Sequence, residues 1–133
     1  MPKTERGVNV ETGLTGLSQA KASKLREINA GCQEMLEALT ATYPERELTS
    51  FDKQESEARA YVADSAALTP LLSALAAARG IALDDLVGRV IRKADAFATL
   101  SGTIIGQRQR MEDLLEACTT LEEVNGLAVS YAI

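Results

Sequence analysis

From Leu83 to Cys118 nothing breaks a helix for some 36 residues, and this run constrains the fold more than any other feature of the chain. A helix rising about 1.5 Å per residue would extend roughly 50 Å over it, long for a globular domain. Val87, Val90, Ala94, Phe97, Ser101, Ile104, Arg108, Met111, Leu115 and Cys118 alternate steps of three and four without a slip, which is a heptad seam. Ile91, Ala98 and Ile105 widen the stripe on one side. A wide stripe suits a helix packed against two or more neighbours, so a bundle is expected rather than a two-stranded zipper. Ser101 and Arg108 interrupt the seam with polar groups, and Gly102 and Gly106 leave two side chains missing one turn apart. Such a flat patch either admits a close neighbouring helix or marks a bend or break between Leu100 and Gly106.

Shorter helices precede the long one. Ser18 offers an N-cap to a stripe of Leu25, Ile28, Cys32, Met35, Leu36, Leu39 and Tyr43, which Pro44 should end at Tyr43. After a turn through Glu45-Arg46-Glu47, Thr49 or Ser50 caps a second helix to about Asp64, with Phe51, Ala58 and Tyr61 or Val62 inward. The next has Thr69 as N-cap, Pro70 at the first helical position, Leu71, Leu72 and Leu75 inside, and Gly80 as the left-handed residue past its end. Ile81 then folds back on Leu75 or Ala76. Beyond Cys118, Thr120-Leu-Glu-Glu123 fits a capping box that opens a short helix through Leu127. The apolar tail Ala128–Ile133 docks either on the core or on another subunit. Residues 1–16 carry Gly7, Gly13 and Gly16 among polar residues, with Val8, Val10 and Leu14 irregularly spaced. They read as a flexible, extended N-terminal arm, either a mobile terminus or a segment ordered by a partner. The expected fold is all-α: a helical bundle of about five helices with one long helix at about 83–118, the arm at 1–16, and a single helical domain at 17–133.

Composition agrees with helices. Apolar residues make up 46% and charged residues 25%, as in ordinary globular chains, whereas aromatics reach only 4% and the apolar content lies mainly in Ala and Leu. A net charge of −5 opposes nucleic acid and anionic membrane surfaces, both of which are bound through Lys and Arg. No apolar run approaches the roughly 20 residues that span a bilayer. The polar start, Met1-Pro-Lys-Thr-Glu-Arg6, lacks the apolar core of a secretory signal, so a cytoplasmic location is expected.

Chemistry finds little to work with. The chain has no His, the commonest metal ligand and general base, and Cys32 and Cys118 sit in amphipathic patterns as small buried hydrophobes. The paired carboxylates Asp84 and Asp85, Glu112 and Asp113, and Glu122 and Glu123 fall in opening helical turns or on charged faces, where they complement the dipole or stay solvated. Adjacent residues on a helix diverge by about 100°, so neither member of a pair converges on one ion. Arg89, Arg92 and Lys93 form a basic cluster without aromatic interleaving, which reads as a solvated face. No catalytic, cofactor-binding or metal-binding residue is expected, and the protein is expected not to be an enzyme.

The order of residues carries a resemblance. Lys24-Leu-Arg-Glu-Ile-Asn-Ala-Gly-Cys-Gln33, Thr42-Tyr-Pro-Glu-Arg-Glu-Leu48, Phe51-Asp-Lys-Gln-Glu-Ser-Glu-Ala-Arg-Ala-Tyr61, Thr69-Pro-Leu-Leu72, Ala77-Ala-Arg-Gly-Ile81, Lys93-Ala-Asp-Ala-Phe97, Ile105-Gly-Gln-Arg-Gln109 and Thr120-Leu-Glu-Glu-Val124 resemble, in the same order, a helical domain of bacteriophage tail fibre and tail assembly proteins. The resemblance covers about residues 18–130 and brings no catalytic motif. It implies a non-enzymatic structural or assembly component of a phage or phage-like tail, in contact with fibre or baseplate proteins. It also implies a homo-oligomer, with three copies the natural number, located in the virion tail and in the host cytoplasm during assembly. The alternative is a transient assembly chaperone or adaptor that leaves the finished particle. The candidate protein-contact residues are Val8, Val10 and Leu14 of the arm, Ser101, Gly102, Gly106 and Arg108 of the long helix, and Tyr131 and Ile133 of the tail.

Overall fold

The structure, a computed structural model, describes residues 8–9 and 14–133, with side chains from Gly16 onward. The fold is all-α apart from a two-residue antiparallel ladder, β1 (Val8–Asn9) with β2 (Leu14–Thr15), in which Val8 lies opposite Thr15 and Asn9 opposite Leu14. Six helices follow among the described residues: α1 (Gly16–Thr40), α2 (Glu45–Leu48), α3 (Phe51–Ala63), α4 (Pro70–Arg79), α5 (Leu83–Glu116) and α6 (Leu121–Gly126). The one beyond the expected five is α2, a single turn formed where the sequence suggests a plain turn. Helix α1 ends at Thr40, before the expected Tyr43; the Tyr43 N–H returns to the Thr40 carbonyl at 3.1 Å, and Pro44 excludes any continuation.

The chain divides into two compact units, Leu39–Leu100 on one hand and residues 1–38 with Ser101–Ile133 on the other. In Leu39–Leu100 the core consists of Ala58, Leu72, Ala76, Leu86 and Val87, with Tyr61, Leu75, Ile81, Val90 and Ile91 packed around it. Fully burying a residue such as Leu72 contributes about 1.5–3 kcal/mol. Helix α4 is punctuated by Pro70 at its first position and by Gly80, whose φ of 72° is the left-handed conformation expected there. The Gly80 and Ile81 N–H groups return to the carbonyls of Ala77 and Ala76 at 3.3 and 3.1 Å, and this turn delivers Ile81 to the core.

The start of α4 is not capped by Thr69, whose side chain makes no bond to the helix N-terminus and instead meets the Ser73 hydroxyl at 2.9 Å. The cap comes from α3. Glu57, buried at 3% exposure, accepts from the N–H groups of Leu72 at 2.9 Å and Leu71 at 3.3 Å, while Lys53 approaches the same carboxylate at 3.4 Å. Burial alone pushes this carboxyl up, but the Leu72 and Leu71 donors together with Lys53 outweigh it and hold the carboxyl below its ordinary value. Neither Thr49 nor Ser50 caps α3. Their hydroxyls donate backward to the Arg46 and Glu47 carbonyls at 2.7 Å, at the end of α2, where the Glu47 carbonyl also accepts the Ser50 N–H at 3.0 Å.

In the other unit, Ile28, Met111, Leu115 and Val124 form the buried core, with Leu17, Leu25, Cys118, Leu127, Val129 and Tyr131 against it. The C-terminal tail is part of this packing. The Tyr131 hydroxyl donates to the Ile28 carbonyl at 2.6 Å, and the Gln107 side-chain amide pairs with both backbone groups of Ala132, at 2.6 and 2.8 Å. Gly31 is needed under the Tyr131 ring, since a Cβ there would lie 2.7 Å from it. Thr120 accepts from the Glu123 N–H at 3.1 Å, as a capping box requires; the Glu123 carboxylate reaches back to the Thr119 N–H and hydroxyl, which hold it below its ordinary value.

The long helix ends at Glu116, two residues short of Cys118, and it runs through Gly102 and Gly106 without a break. Its seam is buried at Val87, Ile104, Met111 and Leu115, but Phe97 on it and Leu100 beside it remain 39% and 37% exposed.

Candidate functional site

Within Leu39–Leu100 a groove of about 560 Å³ opens beside the exposed stretch of α5, a volume within the roughly 300–1,000 Å³ common for ligand sites. Its apolar surface comes from Leu75, Leu86, Val90, Ala94, Phe97 and Leu100, with the last residues of α1 at its end. Pro44 turns the chain so that Tyr43 and Phe51, which flank the single turn α2, meet edge to face with ring centroids 5.2 Å apart. Lys93 of α5 lays its ammonium over both rings, 4.3 Å from the Tyr43 centroid and 5.6 Å from that of Phe51. Such contacts stabilise by about 0.5–1 kcal/mol at exposed positions and fix the lysine at the groove wall.

The rim carries both signs of charge. Glu47, Asp52 and Glu55 come from α2 and α3, and Arg79, Arg89 and Lys93 from α4 and α5. Arg89 is engaged by Asp85 at 3.0 Å, and Glu55 by Arg59 at 2.8 Å, which also reaches Asp95 at 2.7 Å. Glu55 first and Asp95 second raise the Arg59 guanidinium further above its ordinary value. Glu47, Asp52, Arg79 and Lys93 make no ion pair within 4.0 Å among the described residues. The groove thus presents an apolar floor with unneutralised charges of both signs at its edge.

At least one member of each carboxylate pair along the sequence is held in a structural contact. Asp84 accepts from the Tyr61 hydroxyl, raising that phenol, while Asp85 pairs with Arg89, Glu112 with Arg108 at 2.9 Å, and Glu123 with Thr119. Among the described residues no group of three His, Cys, Asp or Glu could hold a metal ion, and no helix is long and apolar enough to cross a membrane.

The sequence-derived contact residues do not form one site. Val8 and Leu14 stand in the short ladder, and Val10 lies outside the described residues. Arg108 is engaged within the fold, donating to Asn29 at 3.0 Å as well as to Glu112, and Tyr131 is committed to Ile28 and Gly31. The Ser101 hydroxyl is buried with no hydrogen-bond partner among the described residues. A Cβ added at Gly102 or Gly106 meets nothing within 4 Å, so no neighbouring helix among the described residues uses their flat patch. Ile133 is exposed at 67%.

The HI1402 helical domain family matches residues 92–129. An uncharacterized protein of Haemophilus influenzae is 42% identical over 57 residues, which are 43% of this chain and 84% of that protein. The chain belongs to the HI1402 helical domain family. No solved structure matches it. The HI1402 match includes Lys93 and Phe97 of the groove together with the Gly102–Arg108 stretch, but it begins after Tyr43 and Phe51.

Sequence reasoning missed the groove because its walls come together only through tertiary folding. Lys93 has no aromatic residue beside it in its basic cluster; its rings arrive from 50 and 42 positions upstream, at Tyr43 and Phe51. The one usable signal was the seam itself, since Phe97 is the largest apolar residue along it.

Proposed function

We propose that this chain is a non-enzymatic structural or assembly component of a bacteriophage or phage-like tail that works by docking other tail proteins. The single observation that carries the docking part is the groove of Leu39–Leu100, an open apolar floor with Phe97 exposed beside the half-buried Tyr43 and Phe51 rings and unneutralised charge at its rim. Exposed aromatic and aliphatic side chains in a concavity are where partner side chains gain most from burial, at about 25 cal/mol per Å² before ordering costs. The tail setting is supported by the collinear resemblance over residues 18–130. In this reading the contacts are with fibre or baseplate proteins, and further copies of the chain accompany it in the tail.

The test is the chain's solution mass together with its distribution among tails, tail intermediates and free protein in cells producing particles. Stoichiometric presence in finished tails is the expected result for a structural part; presence in intermediates alone identifies an assembly factor that departs. A stable monomer absent from both would sink the reading.

A further inference from the structure

The groove also indicates what kind of segment fills it, an inference that rests on the docking role just proposed. Its floor, made by Leu75, Leu86, Val90, Ala94 and Phe97, consists of side chains projecting from the interiors of α4 and α5, whose backbone groups are already bonded within their own helices. No strand edge lies among the described residues of Leu39–Leu100. An extended segment laid on this floor would leave its own N–H and C=O groups without partners, at a cost comparable to a lost hydrogen bond for each. A helix satisfies those groups internally and offers only its apolar face. The rim charges act on the borders of that face: Glu47 and Asp52, from α2 and α3, attract cations, while Arg79, from α4, and Lys93, whose ammonium lies over the Tyr43 and Phe51 rings, attract anions.

We infer that the groove is a docking site for an amphipathic α-helix of a partner protein whose apolar face is flanked by residues of both charge signs. A helix flanked only by lysines meets Arg79 and Lys93 unfavourably, and one flanked only by glutamates meets Glu47 and Asp52 unfavourably.

The experiment uses the full chain and three labelled synthetic helical peptides with an identical leucine face, flanked by Lys on both sides, by Glu on both sides, or by one of each. Fluorescence polarisation at low salt reads their affinities. The mixed peptide is expected to bind about four- to ninefold more tightly than either single-sign peptide, since each exposed pair contributes about two- to threefold and two pairs differ. Substituting Glu47→Lys together with Asp52→Lys should move the preference to the glutamate-flanked peptide. Phe97→Glu, at a position exposed enough to leave folding intact by circular dichroism, should weaken all three peptides about tenfold or more. Equal affinity for the three peptides, no binding of any, or indifference to Phe97→Glu overturns the inference. So does sedimentation showing self-association that Phe97→Glu abolishes, because a second copy then occupies the groove, and so does displacement of a bound peptide by dodecanoate at equimolar concentration, which would mark a small-ligand site. Failure here with the chain still incorporated into tails removes the helix alone; absence of the chain from tails and intermediates removes the tail role, whatever the peptides do.

Discussion

Replacing Glu57 by glutamine should destabilise the Leu39–Leu100 unit in a way that fades with acid. The carboxylate accepts from Leu72 at 2.9 Å and Leu71 at 3.3 Å at the otherwise uncapped start of α4, and it is 3% exposed. Hydrogen bonds to a charged group contribute about 1.5–3 kcal/mol and neutral ones about 0.5–1.5 kcal/mol, so an amide weakens each of the two bonds by about 1 kcal/mol. The amide also turns an NH2 toward one of the two donors and removes the negative charge that complements the helix N-terminus, a further few tenths of a kcal/mol. Lys53 adds little, because its side chain is 61% exposed and screened. A total of about 2 kcal/mol at pH 7, divided by a slope of about 2 kcal/mol per molar urea, lowers the unfolding midpoint by about 1 M. The pH dependence has a definite sign. The folded-state carboxyl lies below its ordinary value, so its contribution is complete above the unfolded pKa of about 4.3 and is lost as pH falls through the folded pKa. Urea titrations followed by circular dichroism should therefore separate the wild type from Glu57→Gln at pH 7 and bring them together towards pH 3. A gap that is absent at pH 7, or equally wide at both pH values, refutes the capping role assigned to the charge.

Further substitutions follow from the packing. Gly80→Ala should cost about 1–2 kcal/mol in chemical denaturation, since φ is 72° and the penalty is backbone strain, with nothing among the described residues within 4 Å to clash. Gly102→Ala and Gly106→Ala, in the middle of α5 with open space at both positions, should instead stabilise by up to about 1 kcal/mol each in the same assay. Gly31→Ala should destabilise by about 1–3 kcal/mol and shift the Tyr131 resonances by NMR, because the new methyl lies 2.7 Å from the ring that caps Ile28. Ser101→Ala should leave stability unchanged or raise it by about 1 kcal/mol in urea, since the buried hydroxyl it removes has no partner among the described residues.

Much of the helical organisation is written locally. Pro70, Gly80 and Thr120 are punctuation whose effect depends on backbone φ and on neighbours within three residues, and each acts where the spacing predicts. The same rules misplace features settled by competition between nearby groups. Thr49 and Ser50 have the chemistry of N-caps, yet their hydroxyls bond the Arg46 and Glu47 carbonyls at the end of α2 instead of the N-terminus of α3. Thr69 likewise loses the cap of α4 to Glu57, whose claim is invisible in sequence because it arrives from 14 and 15 residues upstream.

The groove lies at the far end of this scale. Heptad spacing along α5 treats Phe97 as one more seam residue, equivalent to Ile104 or Leu115, and periodicity offers no reason for Phe97 to be exposed while those two are buried. What separates them is how many partners each stretch of α5 acquires. Ile104 is fully buried and Leu115 packs with Ile28, Met111 and Val124, with the tail against them, whereas Phe97 borders a wall formed by two aromatic rings and a lysine that leaves the floor open. An unfilled position on an otherwise filled seam is where a further helix fits with the least change to the protein. For that reason substitutions at Phe97 should alter binding far more than stability, while substitutions at Ile104 should do the reverse.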